Sequence, residues 1–135
     1  QVDFQKGLVG HSDGDVLLHA IVDAALGAAG LGDMGTHFPS SDPQYRGISS
    51  LYFLGHVSDA LEQHGWRLIN LDATIVAEQP RLSTFIQSMR DLIADTLGLD
   101  SSQVNVKATT TDGMGFPGRG EGIAAYAVVT IEEKG

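Results

Sequence analysis

Apolar residues recur at regular spacing in six stretches of the chain, separated by segments rich in glycine, proline and small polar residues. Helical spacing of the apolar positions predicts three helices, over residues 13–31, 48–64 and 83–97. Alternating or continuous apolar runs predict three strands, over residues 66–77, 104–111 and 123–131. Turn-forming residues fill the stretch 33–47, which is predicted as a long loop. A mixed stretch at residues 2–9 is interpreted as the end of a further strand.

This order of helices and strands predicts a single domain over residues 1–135. Its class is α/β, of the α+β type, with two layers: a mixed β-sheet and helices on one face of it. The last strand is apolar on both of its sides, with Ala127, Val128 and Val129 in succession. The sheet face that the helices leave open is therefore expected to carry apolar residues too, which burial in an assembly would explain.

Composition narrows the classes of partner. The chain has 8 basic and 17 acidic residues and a net charge of −9, which argues against a nucleic-acid surface and against a polybasic membrane patch. It has no cysteine, so disulfide and thiolate chemistry are excluded. No apolar run has membrane-spanning length, and the start does not resemble a signal peptide. We expect neither nucleic acid nor membrane as a partner.

The stretch 10–20 combines helix-start signals with chemically active side chains. Ser12 is a suitable N-cap, and Asp15 three residues later completes a capping-box-like pattern. Asp15 and His19 are four residues apart and share one face of the predicted helix. Two interpretations follow from spacing alone: capping acids beside an ordinary structural histidine, or a metal ligand with a proton carrier at the rim of the core.

A resemblance favours the second interpretation. Residues 12–20, Ser-Asp-Gly-Asp-Val-Leu-Leu-His-Ala, resemble the signature of the 2-C-methyl-D-erythritol 2,4-cyclodiphosphate synthase family, which belongs to the non-mevalonate isoprenoid pathway. Further blocks match in the same order over nearly the whole chain: Gly32-Asp33-Met34-Gly35 with Phe38-Pro39, Asp72-Ala73-Thr74-Ile75 with Gln79-Pro80, Asn105 to Thr111, and Gly115-Phe116 with Gly118 to Gly122.

The resemblance implies a metal-dependent lyase that acts on 4-diphosphocytidyl-2-C-methyl-D-erythritol 2-phosphate. The 2-phosphate attacks the β-phosphorus of the cytidine diphosphate unit and yields 2-C-methyl-D-erythritol 2,4-cyclodiphosphate and CMP. It also implies a homotrimer with active sites between subunits. The expected location is the bacterial cytoplasm, or a plastid-type organelle.

The metal ligands form one part of the implied site. His19 matches a ligand of the catalytic divalent ion, Zn2+ or another such as Mn2+. Asp112 stands where the family has glutamate, and it is expected to hold a second ion, Mg2+ or Mn2+, that bridges the diphosphate. The family's other two ligands form an Asp-x-His motif on an N-terminal strand. No such motif occurs in this sequence, and we expect that strand to be missing from it.

The remaining implied residues contact substrate. His11, Thr110 and Asp112 are the implied catalytic residues. Asp33 and Gly35 match the contacts to the ribose, and the segment 77–82 matches the backbone loop that holds the cytosine. The substrate-binding set is His11, Ser12, Asp15, Asp33, Gly35, Phe38, Ala77, Pro80, Arg81, Leu82, Ala108, Thr109, Thr110, Thr111, Phe116 and Arg119. Arg119 and Glu121 also match residues near the trimer axis, whereas His37, His56 and His64 match no site position.

Two other function classes stay open at this point. A phosphate-ester hydrolase could use the same metal ligands and would release a linear or inorganic phosphate. A non-catalytic trimeric protein could keep the nucleotide pocket without the metal pair, and the absence of an Asp-x-His motif keeps that class open. Each of the matched features also has a structural interpretation, as a cap, a turn or a strand-forming residue.

Overall fold

The computed structural model describes residues 12–39, 41–45, 49–76, 83–109 and 124–134. In these ranges the chain forms the helices α1 (Ser12–Ala28), α2 (Met34–His37), α3 (Ser50–Gln63) and α4 (Ser83–Leu97). It forms the strands β1 (Trp66–Val76), β2 (Val104–Thr109) and β3 (Ala124–Glu133). Two short 3-10 helices, Pro43–Tyr45 and Ser101–Gln103, complete the described elements.

The three strands form a mixed sheet in the order β2-β1-β3. β1 and β2 are parallel, with Val76 opposite Thr109. β1 and β3 are antiparallel, and their register shifts between Leu68 and Asn70. At that point two successive apolar residues, Leu68 and Ile69, interrupt the alternation of β1. The irregularity keeps the apolar side chains beyond it on the face that is buried.

The helices cover one face of this sheet. α1 packs on β3 and on α3, α3 packs on β1, and α4 packs on β2. The core between the layers includes Leu71, Ala73 and Ile75 of β1 and Val104 and Val106 of β2. The predicted mixed sheet with helices on one face is therefore confirmed. No helix in the described ranges is long and apolar enough to cross a membrane.

No helix in the described ranges covers the other face of the sheet, which is called the open face below. Tyr126 and Val128 of β3 are 65% and 70% exposed. Beside them, Lys107 Nζ of β2 lies 2.6 Å from Asp72 Oδ2 of β1, and Asn105 Nδ2 donates to Asp72 Oδ1 at 2.9 Å. These two bonds lower the pKa of the Asp72 carboxyl, with the bond from Lys107 as the larger cause. The open face thus mixes a polar cluster with exposed apolar side chains.

The prediction for the region after the first helix was wrong in two respects. α1 ends at Ala28 rather than at residue 31, because Gly30 and Gly32 adopt φ of +71° and +93°, a conformation that turns the chain out of a helix. The predicted loop 33–47 contains α2, which begins because the Asp33 side chain caps the Thr36 N–H, and the 3-10 turn Pro43–Tyr45. The ends of the other predicted elements agree to within two residues wherever they are described, and residues 2–9 lie outside the described ranges.

Candidate active site

Three polar residues lie along one stripe of α1. Asp15, His19 and Asp23 follow at intervals of four, so successive members sit about one turn apart on the same side of the helix. Leu18, Ile21 and other apolar residues of α1 are buried in the core, which directs the polar stripe away from it. His19 and Asp23 are exposed and Asp15 is half-buried. The predicted neighbours Asp15 and His19 therefore do share a face, at the edge of the core.

Asp15 is held by a residue that sequence reasoning missed. Ser50, the first residue of α3, donates from Oγ to Asp15 Oδ1 at 2.8 Å. Ser50 is the buried polar residue of the described part of the chain, at 5% exposure. The neighbouring Ser49 is the N-cap and accepts from Leu51 N. From sequence the two serines are equivalent capping candidates, and only the packing of α1 on α3 distinguishes them.

The segment before and within α2 carries the two implied ribose contacts, Asp33 and Gly35, and both are exposed. Asp33 Oδ1 accepts from Thr36 N and from Thr36 Oγ1, each at 2.8 Å. These bonds lower the pKa of the Asp33 carboxyl, so the side chain is an anion at neutral pH. A fixed, exposed carboxylate is a suitable acceptor for a pair of vicinal hydroxyls.

Phe38 anchors the end of the same segment. Its ring centroid lies 4.7 Å from that of Phe53 on α3 and 5.5 Å from that of Tyr45. His56, also on α3, contacts Phe38 edge-on at 5.8 Å. The structure therefore gives Phe38 a packing role within the chain, and the ring is only half-buried, so part of its surface is available to a ligand.

Ala108 and Thr109 lie at a different place, at the exposed end of β2. Because β1 and β2 are parallel, their carboxyl ends meet at one edge of the sheet, where Val76 pairs with Thr109. Ligands of α/β proteins commonly bind at such an edge. The polar stripe belongs to α1, which packs mainly on β3. In the strand order, β3 and β2 lie on opposite sides of β1. Within one chain, the implied contacts therefore form two separate groups, one on α1 and one at the end of β2.

A metal ion would need more ligands than His19 alone can give. His19 presents an exposed imidazole, which suits zinc as one ligand, but a catalytic zinc takes three protein ligands. In the part of the chain that the structure describes, no three His, Cys, Asp or Glu side chains are placed to hold a metal ion. The described residues therefore supply one ligand and not a complete set.

Several predicted site residues lie outside the described ranges and stay predictions. They are His11, Ala77, Pro80, Arg81, Leu82, Thr110, Thr111, Asp112, Phe116 and Arg119. The described part of α1 begins at Ser12, one residue before the predicted start; the side chain of Ser12 is not described, so its N-cap role stays a prediction. Two of the histidines that match no site position bond backbone oxygens of the chain: His37 Nε2 contacts Leu31 O, and His64 Nδ1 contacts Ala60 O.

Comparison with known proteins gives a consistent result. The YgbB family model matches residues 1–132. The 2-C-methyl-D-erythritol 2,4-cyclodiphosphate synthase of Syntrophomonas wolfei is 57% identical over 133 residues, which cover 98% of this chain and 85% of that protein. The enzyme of the same name from Geobacillus kaustophilus is 54% identical over 98% of this chain and 84% of its own length.

Solved structures agree in fold. The CDP complex of IspF from Plasmodium falciparum superposes with a TM-score of 0.79 at 31% identity, and the match covers 93% of this chain and 76% of that one. The bifunctional IspDF of Campylobacter jejuni superposes with a TM-score of 0.85 at 46% identity, and it covers 91% of this chain but 33% of the longer protein.

Proposed function

The chain belongs to the YgbB family, and from that membership we propose that it forms 2-C-methyl-D-erythritol 2,4-cyclodiphosphate and CMP from 4-diphosphocytidyl-2-C-methyl-D-erythritol 2-phosphate. Its relatives are cyclodiphosphate synthases of isoprenoid biosynthesis, and the predictions of the family and of a phosphorus–oxygen lyase are confirmed. The observation that carries the proposal is the 57% identity to a synthase over 98% of the chain.

In the proposed reaction an oxygen of the 2-phosphate attacks the β-phosphorus. A new P–O bond closes the eight-membered ring, and the bond from the β-phosphorus to the bridging oxygen of CMP breaks. CMP leaves with the electron pair of that bond. Because both reacting groups belong to one substrate molecule, the protein contributes chiefly by holding them in line and by stabilising charge.

The nucleoside end of the substrate is assigned to Asp33 and Gly35. The Asp33 carboxylate is held as an anion by Thr36 and can accept both ribose hydroxyls. Gly35 has no side chain to obstruct a close approach of its backbone, and a Cβ built there would lie 3.7 Å from Asp33 Oδ1. The CDP that occupies the IspF neighbour from Plasmodium falciparum supports a cytidine nucleotide as the ligand. Segment 77–82 is proposed to hold the cytosine.

The diphosphate end is assigned to the remaining residues of the prediction. We propose that His19 donates one ligand to Zn2+ or Mn2+, with the rest of the ligand set outside the described residues. Asp112 is proposed to hold Mg2+ or Mn2+, and His11 and Thr110 to contact the reacting phosphates. Such ions would supply positive charge that screens the two phosphate groups from each other, in a protein whose own net charge is −9.

We further propose that the enzyme is a homotrimer with sites between subunits. The open face of the sheet, with Tyr126 and Val128 exposed, is a surface that a second copy could cover. Within one chain the α1 stripe and the end of β2 lie on different sides of β1, and a neighbouring subunit could bring a second half-site to the first. The bacterial relatives support the bacterial cytoplasm as the proposed location.

Phosphorus NMR of the intact protein, with the diphosphocytidyl substrate, Zn2+ and Mg2+, tests the reaction. We expect the signals of a cyclic diphosphate, with CMP in equal amount. His19→Ala should abolish turnover, whereas His64→Ala, an exposed histidine at the end of α3, should retain it. Free phosphate beside CMP would instead show a hydrolase. Nucleotide binding without turnover would show either a binding protein or a site that Asp112, in place of glutamate, has disabled.

A further inference from the structure

We infer that Asp23 is a positioning residue for the nucleoside end of the site, where it holds the turn that presents Asp33 and Gly35. The inference rests on the proposed function, which assigns those two residues to the ribose. Asp23 itself belongs to none of the sequence blocks that carry the family resemblance. In the sequence it is a single acid that interrupts the apolar run of the first helix, and an exposed helix surface would explain it equally well.

The contact that carries the inference joins α1 to α2. Asp23 Oδ1 accepts from Met34 N at 2.7 Å, across 11 positions of sequence. Met34 is the first residue of α2 and lies between Asp33 and Gly35. The N–H groups in the first turn of a helix have no partner within that helix. Asp23 therefore supplies the acceptor that Met34 lacks, and it does so from the middle of a long helix packed on the core.

The orientation of Asp33 depends on this contact through the backbone. Asp33 Oδ1 takes two hydrogen bonds from Thr36, so its carboxylate moves with α2. The chain that enters α2 passes through Gly30 and Gly32, both with positive φ, and glycines allow many conformations. His37 Nε2 bonds Leu31 O at 2.6 Å and closes the turn on itself. Backbone bonds from Gly30 N to Gly27 O and from Leu31 N to Leu26 O tie the start of this turn to α1, and the Asp23 side chain ties its end, at Met34, to the same helix.

The far end of α2 is attached to the core independently of Asp23. A local effect on Asp33 and Gly35 can therefore be distinguished from release of the whole segment. Phe38 packs on Phe53 of α3, so α2 stays attached to the core when the bond to Asp23 is lost. Removal of Asp23 should therefore loosen Asp33 and Gly35 without releasing the whole segment. The defect should be one of nucleoside affinity, not of the phosphate chemistry.

The bond needs an acceptor oxygen and not a negative charge, which makes a sharp test possible. Asp23→Asn keeps a side-chain oxygen of the same reach, whereas Asp23→Ala removes it. Asp59→Ala, which removes an exposed carboxylate on α3, is the matched control. All three changes lie on exposed helical positions, where alanine and asparagine are tolerated. Titration calorimetry would compare CDP with inorganic pyrophosphate, which lacks the nucleoside.

We expect Asp23→Ala to weaken CDP binding about tenfold. A loss of this size is expected when a single hydrogen bond that orders a site is removed. Asp23→Asn should stay within about threefold of the parent chain, and Asp59→Ala should match it. Pyrophosphate binding should be the same in all four proteins. Amide NMR of the unliganded chain should show the signals of Met34 and Gly35 shifted in Asp23→Ala and close to the parent in Asp23→Asn.

Three results would overturn the inference. Unchanged CDP affinity in Asp23→Ala would show that the turn holds its geometry without this bond. An equal loss in Asp23→Asn would show that the charge acts directly on ligand or metal. An equal loss of CDP and pyrophosphate binding would show a general structural role. If the parent chain itself bound no CDP, the proposed nucleotide site would fail, and the NMR comparison would still report whether Asp23 orders the turn.

Discussion

The two faces of the sheet are built from the same three strands, but one is buried under helices and the other carries exposed side chains. On the covered face Leu71, Ala73 and Ile75 of β1 are at most 3% exposed, and the helices of the same chain supply their partners. On the open face Tyr126 and Val128 are more than half exposed, next to the Asp72–Lys107 pair. The difference shows that the chain completes one hydrophobic layer by itself and leaves the second without an intramolecular partner among the described residues.

The open face also differs in chemistry. Val128 is paired with Asp72 across the sheet, and Tyr126 with Thr74, so apolar and polar side chains adjoin there. Subunit interfaces combine apolar side chains with polar groups in this way. The proposed homotrimer gives that surface a partner. Substitutions on each face can test this contrast, and their effects should decrease from the buried core to the exposed ion pair.

The greatest loss is expected on the covered face. Ile75 is fully buried, and Ile75→Ala should lower the free energy of unfolding by about 2–5 kcal/mol, because it leaves a cavity that the packed layers cannot close. Urea denaturation measures this loss. Ile75→Val is the graded control, with an expected loss of about 0.5–1.5 kcal/mol. A loss in Ile75→Ala no larger than in Ile75→Val would contradict the assignment of this face to the core.

The open face should respond in assembly rather than in folding. Val128→Asp places a second carboxylate beside Asp72, its cross-strand partner, on a face proposed to be buried between subunits. We expect light scattering to fall from the mass of three chains to that of one, with the helical circular dichroism unchanged. Val128→Thr, similar in shape and uncharged, should keep the assembly. A parent chain of single-chain mass would refute the homotrimer directly.

Ser50, a buried polar residue within the covered region, gives a third test. Ser50→Ala removes the hydrogen bond from Ser50 Oγ to Asp15 Oδ1 and should destabilise the fold by about 1–3 kcal/mol, because a hydrogen bond to a half-buried carboxylate is lost. If Asp15 contacts substrate, turnover should fall as well. Ser49→Ala removes a helix cap and is the control, since it should lower the melting temperature while preserving turnover. Equal activity in both variants would leave Asp15 with a structural role alone.

The smallest effect on stability is expected for the ion pair of the open face, between Lys107 and Asp72. Lys107 and Asn105 lower the pKa of Asp72, so the folded state favours the carboxylate. This contribution is present above the unfolded-state pKa of about 3.9 and is lost as pH falls through the lower folded-state pKa. Because both side chains are about half exposed in the single chain, Asp72→Asn should cost a dissociated chain no more than about 1 kcal/mol at neutral pH.

Melting temperatures of the parent chain and of Asp72→Asn between pH 7 and about 2.5 measure this contribution. Their difference should be greatest at neutral pH and should shrink toward zero in acid. High salt at neutral pH should reduce it too in a dissociated chain, where the pair is exposed. A difference in melting temperature that stays constant across the pH range would show that the Asp72→Asn substitution acts through packing and not through the loss of charge.

Much of the fold could be predicted from local pattern. The boundaries of α4 follow from apolar residues such as Phe85, Met89 and Ile93 at helical spacing, and all three are buried. The start of β1 follows from Gly65, whose φ of +83° ends the preceding turn. The family blocks predict Asp33, Gly35 and His19 as site positions, and these roles stay predictions. These features depend on neighbours within a few positions, which a sequence displays directly.

Tertiary packing selects which of several equivalent residues make the long-range contacts. Ser50, and not Ser49, reaches Asp15 across 35 positions, and Asp23 reaches Met34 across 11. Both contacts exist only because α1 packs where it does, and no local pattern specifies that packing. The division of the sheet into a covered and an open face has the same origin. Alternation along a strand determines that its side chains separate into two sets, and the packing of the helices determines which set is buried.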